Sequence, residues 1–259
     1  VPNSNLFNIS VGGSMNDQTH FKNFQYNKGS GTDFLGFDNG LRSLNGGINA
    51  TLRPMNNGYD LLNNGLNNDW SIKNRKPIAD LSLSMNIAHR WVSESGRTLA
   101  MLGAVNYSNT YKTYLNMDNN LYGAYDITHD RSNYLRKGVD DQYNHNVRVG
   151  AMLNLTYVPA SGNNRYEFKN IFNQLGKDRY TYRKGTDAQS DYEESAEYYY
   201  QSRTTYSGQF TGKHTWSDTD KLDWSAGYSY ANRNMPDRRR YNTVLNTDTT
   251  VSYTHLTLP

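Results

Sequence analysis

The stretch Leu99 to Leu115, LAMLGAVNYSNTYKTYL, alternates between two kinds of side chain along its length. Leu99, Met101, Gly103, Val105, Tyr107 and Tyr111 fall on one side, and Ala100, Ala104, Asn106, Ser108, Thr110 and Lys112 on the other. A period of two marks a strand whose faces meet different surroundings. At roughly 3.3 Å per residue it reaches about 55 Å, whereas ordinary strands stop after about five or six residues. A length of that order needs a cause outside ordinary globular packing.

Six other stretches share the period. Phe7, Ile9 and Val11 oppose Asn8 and Ser10; Leu81, Leu83, Met85, Ile87 and Trp91 oppose Asp80, Ser82, Ser84, Asn86 and Arg90. Val147 to Tyr157, Tyr166 and Phe168, Tyr200 to Trp216, and Leu222 to Tyr230 repeat the arrangement. The expected strands lie near residues 5–15, 78–92, 97–115, 143–158, 165–182, 197–216 and 221–233, and the pattern after Ile171 blurs as it would at a bulge. The 22 Tyr and 21 Gly suit strands and turns better than helices.

The connections alternate. SESG (93–96), PASGNN (159–164) and SDTD (217–220) are tight, whereas about 60, 27 and 15 residues separate the other pairs. Short on one side and long on the other is the asymmetry of an outer-membrane barrel, with short periplasmic turns and long extracellular loops. The apolar parity then carries interfacial aromatics beside the short turns: Trp91, Tyr157, Tyr166, Trp216 and Trp224. The polar parity faces a lumen with Asn106, Arg148, Lys169, Arg203 and Lys213, joined by Asp80, Glu167 and Asp223.

No apolar run approaches the ~20 residues of a spanning helix. The mean hydropathy of −0.88 does not weigh against a barrel, because half of each barrel strand is polar. The expected fold class is all-β: an antiparallel transmembrane barrel fragment spanning residues 1–250. A soluble β-sandwich shares the alternation but not the strand length, loop asymmetry and aromatic belt together.

Chemistry-bearing patterns are few. The net charge of +3 is too small to argue for nucleic acid, and the absence of cysteine excludes a disulfide scaffold and thiolate metal sites. The six histidines have no metal-ligand spacing, and His89 and His214 fall on the apolar parity near turns. Asp118, Asn120 and Gly123 suggest a calcium loop, but Tyr122 and His129 stand where oxygen ligands are needed. GSGTDFLG lacks the Lys and Ser/Thr of a phosphate loop, and no Ser–His–Asp grouping can be assembled. The expectation is therefore no enzyme, no cofactor and no metal. The acidic run 187–197 and the basic run 237–241 fall in long connections, as solvated surface or as contacts to ligand or lipopolysaccharide.

Within residues 17–77, Thr32 to Leu44 reads TDFLGFDNGLRSL, and Phe34, Leu35 and Phe37 suggest a compact hydrophobic knot. Tyr26, Gly29, Gly31, Asp33, Leu35, Gly36, Phe37, Asp38, Asn39, Gly40 and Arg42, followed by a strand headed by Lys76-Pro77, resemble the start of the barrel in one branch of TonB-dependent outer-membrane receptors. Leu41 and Asn45 depart from the threonine and proline usual there.

The resemblance implies a 22-stranded barrel in the outer membrane of a Gram-negative cell, of which about seven strands are in view. It also implies an N-terminal plug, partnership with the TonB complex, contact with outer-membrane lipid and lipopolysaccharide, and a surface lipoprotein as a candidate lid. The implied activity is energised import of a siderophore, cobalamin, glycan or peptide. A soluble carbohydrate-binding module and a passive porin or adhesin barrel are the alternatives.

The tail Val251 to Pro259, VSYTHLTLP, can be reverse-translated into codons that resemble a sequencing-library transposon adapter read in frame, which places it outside the expected fold and function. Its alternative is a genuine eighth strand.

Overall fold

The computed structural model describes residues 5–43, 69–187, 191–245 and 252–257. Among them the chain is all-β, with no α-helix. The strands are β1 (Leu6–Ser14), β2 (Phe24–Asn27), β3 (Ile72–Arg75), β4 (Asp80–Val92), β5 (Thr98–Asp126), β6 (Arg131–Val158), β7 (Asn164–Asp187), β8 (Tyr192–Thr215), β9 (Lys221–Asn234), β10 (Arg239–Leu245) and β11 (Ser252–Thr257). One antiparallel sheet runs in the order β1-β4-β5-β6-β7-β8-β10-β11, with β9 also paired to β8, while β2 and β3 form a separate two-stranded ribbon. No pairing closes the sheet: β1 and β11 are its ends among the described residues.

The tight connections are hydrogen-bonded turns gathered at one end of the sheet. Ser93 N–H donates to the Arg97 carbonyl at 2.9 Å, Gly162 N–H to Pro159 at 3.0 Å, and Trp216 N–H to Asp220 at 3.0 Å. Gly96 (φ 79°) and Gly162 (φ 69°) supply the left-handed backbone that the first two need.

Residues 116–142 are not an open loop. β5 and β6 hold 29 and 28 residues and pair nearly to their tips, closing at 127–130. The two-residue pattern hides this because the register slips between Tyr114 and Met117, again between Leu121 and Tyr122, and again between Tyr122 and Tyr125. Each slip exchanges the faces, so alternation counted in a straight line stops there. The first slip surrounds Asn116, whose φ of 55° is left-handed. Asp118 to Gly123, with calcium-like spacing, is therefore β5 ladder.

β7 pairs β6 without any slip, so the blur after Ile171 is not a bulge. The slip lies instead between β9 and β10, which continue along the same edge of β8. Residues 235–238 oppose only 199–201, and the faces invert across that break. Arg240 thereby lies opposite Glu197, and Arg238 donates to the Glu197 carboxylate at 2.5 Å. The acidic and basic runs, read separately as solvated charge, meet in one ladder.

In the tail, Ser252–Thr257 adds beside β10. An open sheet edge accepts any strand-competent segment, so this pairing bears on the edge and not on the origin of the tail.

Candidate functional site: one apolar face, half open and half covered

Register places the odd residues of β4 and β6, the odd residues of β5 before its first slip, and the even residues of β7, β8 and β9 on a single face. That face carries Leu83, Met85, Val105, Leu153, Phe168 and Phe210. In its half near the short turns no described residue covers them, and Leu153 and Phe210 each keep 42% of their surface exposed.

The expected interfacial aromatics share this face at the short-turn end. Tyr157 stacks on Tyr166 across β6 and β7 at 6.4 Å, and Tyr166 stacks on Phe210 at 6.5 Å. His214 lies between Trp216 and Trp224: it stacks on Trp216 at 6.2 Å and accepts from the Trp224 indole N–H at 2.9 Å. Trp91 packs on His89 at 4.2 Å and is separated from Tyr157 by Leu99 of β5. The row thus crosses β4 to β9, with Trp216 the most exposed member at 69%.

Toward the other end the same face turns to tyrosine and is buried by the opening segment. Phe24 of β2 is only 1% exposed and meets Tyr111 and Tyr143 edge-on at 5.4 and 5.5 Å. Tyr180 and Tyr198 complete that cluster, and Trp70 packs on Tyr198 and Tyr241 at 5.4 and 5.9 Å. Gly36 lies directly on Gly176 of β7: a Cβ on Gly36 would stand 2.7 Å from the Gly176 nitrogen. The Gly36 carbonyl accepts from Gln174 at 2.5 Å and Ser202 at 3.2 Å. This docking is why the β7 pattern blurs. Gln174, Gly176 and Asp178 stand where apolar residues would continue the alternation, because they face loop backbone and loop charge.

The loop motif is organised by charge. Asp33, Leu35, Gly36, Phe37, Asp38, Gly40 and Arg42 all lie in described chain, while Leu44 and Asn45 lie outside it. Phe34, Leu35 and Phe37 are exposed, so the expected hydrophobic knot does not form. Arg42 is the buried centre. It grips Asp33 with both nitrogens at 2.8 and 2.6 Å, reaches Asp38 at 2.9 Å, and covers the Tyr200 ring at 3.8 Å. Burial opposes the charge of Arg42, but the Asp33 and Asp38 carboxylates outweigh it and hold the guanidinium above its ordinary range. Gly36 (φ 80°) and Gly40 (φ 94°) provide the backbone turns around it.

The opposite face is polar. Asn106 and Arg148 line one concavity with Ser84 and Ser108, while Lys169 pairs with Glu167 at 2.8 Å and Lys213 with Asp223 at 3.5 Å. Arg203 lies opposite Arg233 in the β8–β9 ladder. Asp80 departs from this group: it bonds His20 at 3.2 Å and accepts from the Tyr111 N–H at 2.7 Å, tying the loop to the sheet. Farther out, Arg183 grips Asp140 at 2.6 and 2.7 Å.

Sequence reading missed the residues where loop and sheet meet: Phe24 and Arg75 on the loop side, His145, Asp178 and Tyr200 on the sheet side. They line or flank a cavity of about 270 Å³ between loop and sheet. The signal available for them was the run of polar residues where β7 should have stayed apolar. Among the described residues no group of His, Asp and Glu is arranged to hold a metal. No protein-family model matches the chain, and no curated protein or solved structure matches it.

Proposed function

We propose that this chain is part of the wall of an outer-membrane β-barrel of the TonB-dependent receptor type, which imports a scarce nutrient such as a siderophore, cobalamin, glycan or peptide. The observation that carries the reading is the height of the open apolar band. On β5 it runs from Leu99, beside the aromatic row, to Tyr107, one alternate position short of Asn109, which lines the covered cavity. Nine residues at roughly 3.3 Å, tilted by about 45°, rise about 21 Å, close to the ~25 Å apolar band a barrel presents to lipid. In this reading the aromatic row lies at the periplasmic interface, the loop-covered half stands outside the membrane, and the polar face looks toward a plug.

Reconstitution in lipid vesicles tests the membrane part. Brominated acyl chains should quench Trp91, Trp216 and Trp224 and spare Trp70, which the opening segment packs on Tyr198 and Tyr241. The transport part is tested by the coding sequence preceding Val1: a plug with a short TonB-binding segment supports import, and a barrel without one is a porin or adhesin. One observation favours a soluble module instead, namely that the chain already covers half of its own apolar face. A monodisperse protein in detergent-free buffer with no quenching by brominated lipid would establish that reading and remove the first.

A further inference from the structure

Beneath the opening loop, two opposite charges face one cavity without a hydrogen-bonding or ion-pair partner among the described residues. Asp178 of β7 lies between His145 of β6 and Tyr200 of β8 in register, and Arg75 of β3 reaches over the same space. Neither makes a hydrogen bond or ion pair with any described residue, and the Arg75 Nε is buried without an acceptor. The Arg75 guanidinium rests instead on three rings, its carbon 4.4 Å from Tyr26, 4.8 Å from Tyr111 and 5.3 Å from Phe24.

The neighbouring charges are already satisfied. Arg42 is taken by Asp33 and Asp38. His145 is uncharged at neutral pH, since burial and Arg75 press it down to about 3, and it bonds Asn109 at 2.8 Å. Burial pushes Asp178 up to about 6, with Arg42 and Arg75 opposing and Asp33 adding to the rise. Charges left without partners in a protein-lined space are costly. One carboxylate and one guanidinium, too far apart to pair, fit a ligand that brings both opposite charges at once.

We propose that this cavity binds a small zwitterion of the α-amino-acid class, its carboxylate on Arg75 and its ammonium on Asp178. Tyr26, Phe34 and Tyr111 form the wall against which its side chain lies. At about 270 Å³ the space falls below the roughly 300 Å³ at which drug-sized pockets begin. The site stands on loop-to-sheet packing alone and holds whether lipid or protein covers the other half of the face.

Calorimetric titration of the unsubstituted chain in detergent micelles tests it, with glycine, L-phenylalanine, acetate and methylammonium as probes. Both amino acids should bind saturably. Acetate and methylammonium should each bind roughly tenfold or more weakly, because each forfeits one charge-assisted contact. Asp178→Asn and Arg75→Gln should each lower glycine affinity by a similar factor while far-ultraviolet circular dichroism and the cooperative melt are retained. The proposal is overturned if neither amino acid binds, if acetate or methylammonium matches glycine, or if the well-folded variants bind as the parent does.

Discussion

One face of one sheet meets two environments. Near the short turns Leu153, Phe168 and Phe210 are left bare, while beyond Tyr111 and Gly176 the face is sealed by the opening loop. The residues change accordingly: branched and aliphatic side chains with exposed Trp beside the short turns below, tyrosines, glycines and embedded charge above. A bare apolar surface asks only for something greasy, whereas a covered one must match its cover atom by atom. That difference separates what the two halves tolerate.

The largest expected effect lies in the covered half. Phe24→Ala should cost about 3–5 kcal/mol, the usual range for a buried Phe, equally in detergent and in lipid, because the lost contacts are all protein. Leu153→Arg in the open half should cost about 2–4 kcal/mol in lipid vesicles and far less in detergent. Thr156→Arg, on the polar face opposite Glu167, should cost little in either. Urea unfolding of the three variants in both media checks the comparison. A Leu153→Arg cost as large in detergent as in lipid would put protein, not acyl chains, against the open half.

The open half was legible in the sequence and the covered half largely was not. Alternation, tight turns and Trp91, Tyr157, Tyr166, Trp216 and Trp224 are local signals, and they placed strands, ends and faces. Docking of Gly36 on Gly176 joins residues far apart in the chain, and no window of sequence contains both. It registered only as a fault in the β7 pattern, and the register slips around Asn116 registered as the end of a strand. Charge misled in the same way: Asp33, Asp38 and Arg42 looked like loop polarity around an apolar knot, when the pairs are the centre and Phe34 and Phe37 the surface.

Asp178 sharpens the comparison in the other direction, since here the covered half holds a residue that weakens it. Its folded pKa of about 6 exceeds the ordinary carboxyl value of 3.8. Between these the folded state keeps a proton that the unfolded chain has lost, so stability falls as pH rises from about 4 to about 6 and stays reduced above. Asp178→Asn should therefore stabilise the chain at pH 7, by on the order of 1–3 kcal/mol, and do nothing below pH about 4. A melting series from pH 3 to 8 reads this out. A variant less stable than the parent at pH 7 would mean that Asp178 has a partner in the fold.

The smallest effects separate the same two halves on the polar side. Asp140 and Arg183 in the outer half keep 7% and 16% of their side chains exposed, whereas Asp223 and Lys213 near the short turns keep 66% and 60%. Burial raises the Asp140 carboxyl, but Arg183 and Asn119 outweigh it and hold the group below its ordinary value. Stability from that pair is complete above the ordinary carboxyl pKa and is lost as pH falls through the lower folded value. Exposed pairs contribute about 0–1 kcal/mol, so Asp223→Asn should leave unfolding nearly unchanged. Hydrogen exchange should accordingly show the β5–β6 tip and its β7 neighbour losing protection only below pH about 4, against the gain from Asp178 over the interval just above. Loss of protection around Asp223 at the same pH would show that the inner polar face is as closed as the outer one, and the division between the halves would then belong to the apolar side alone.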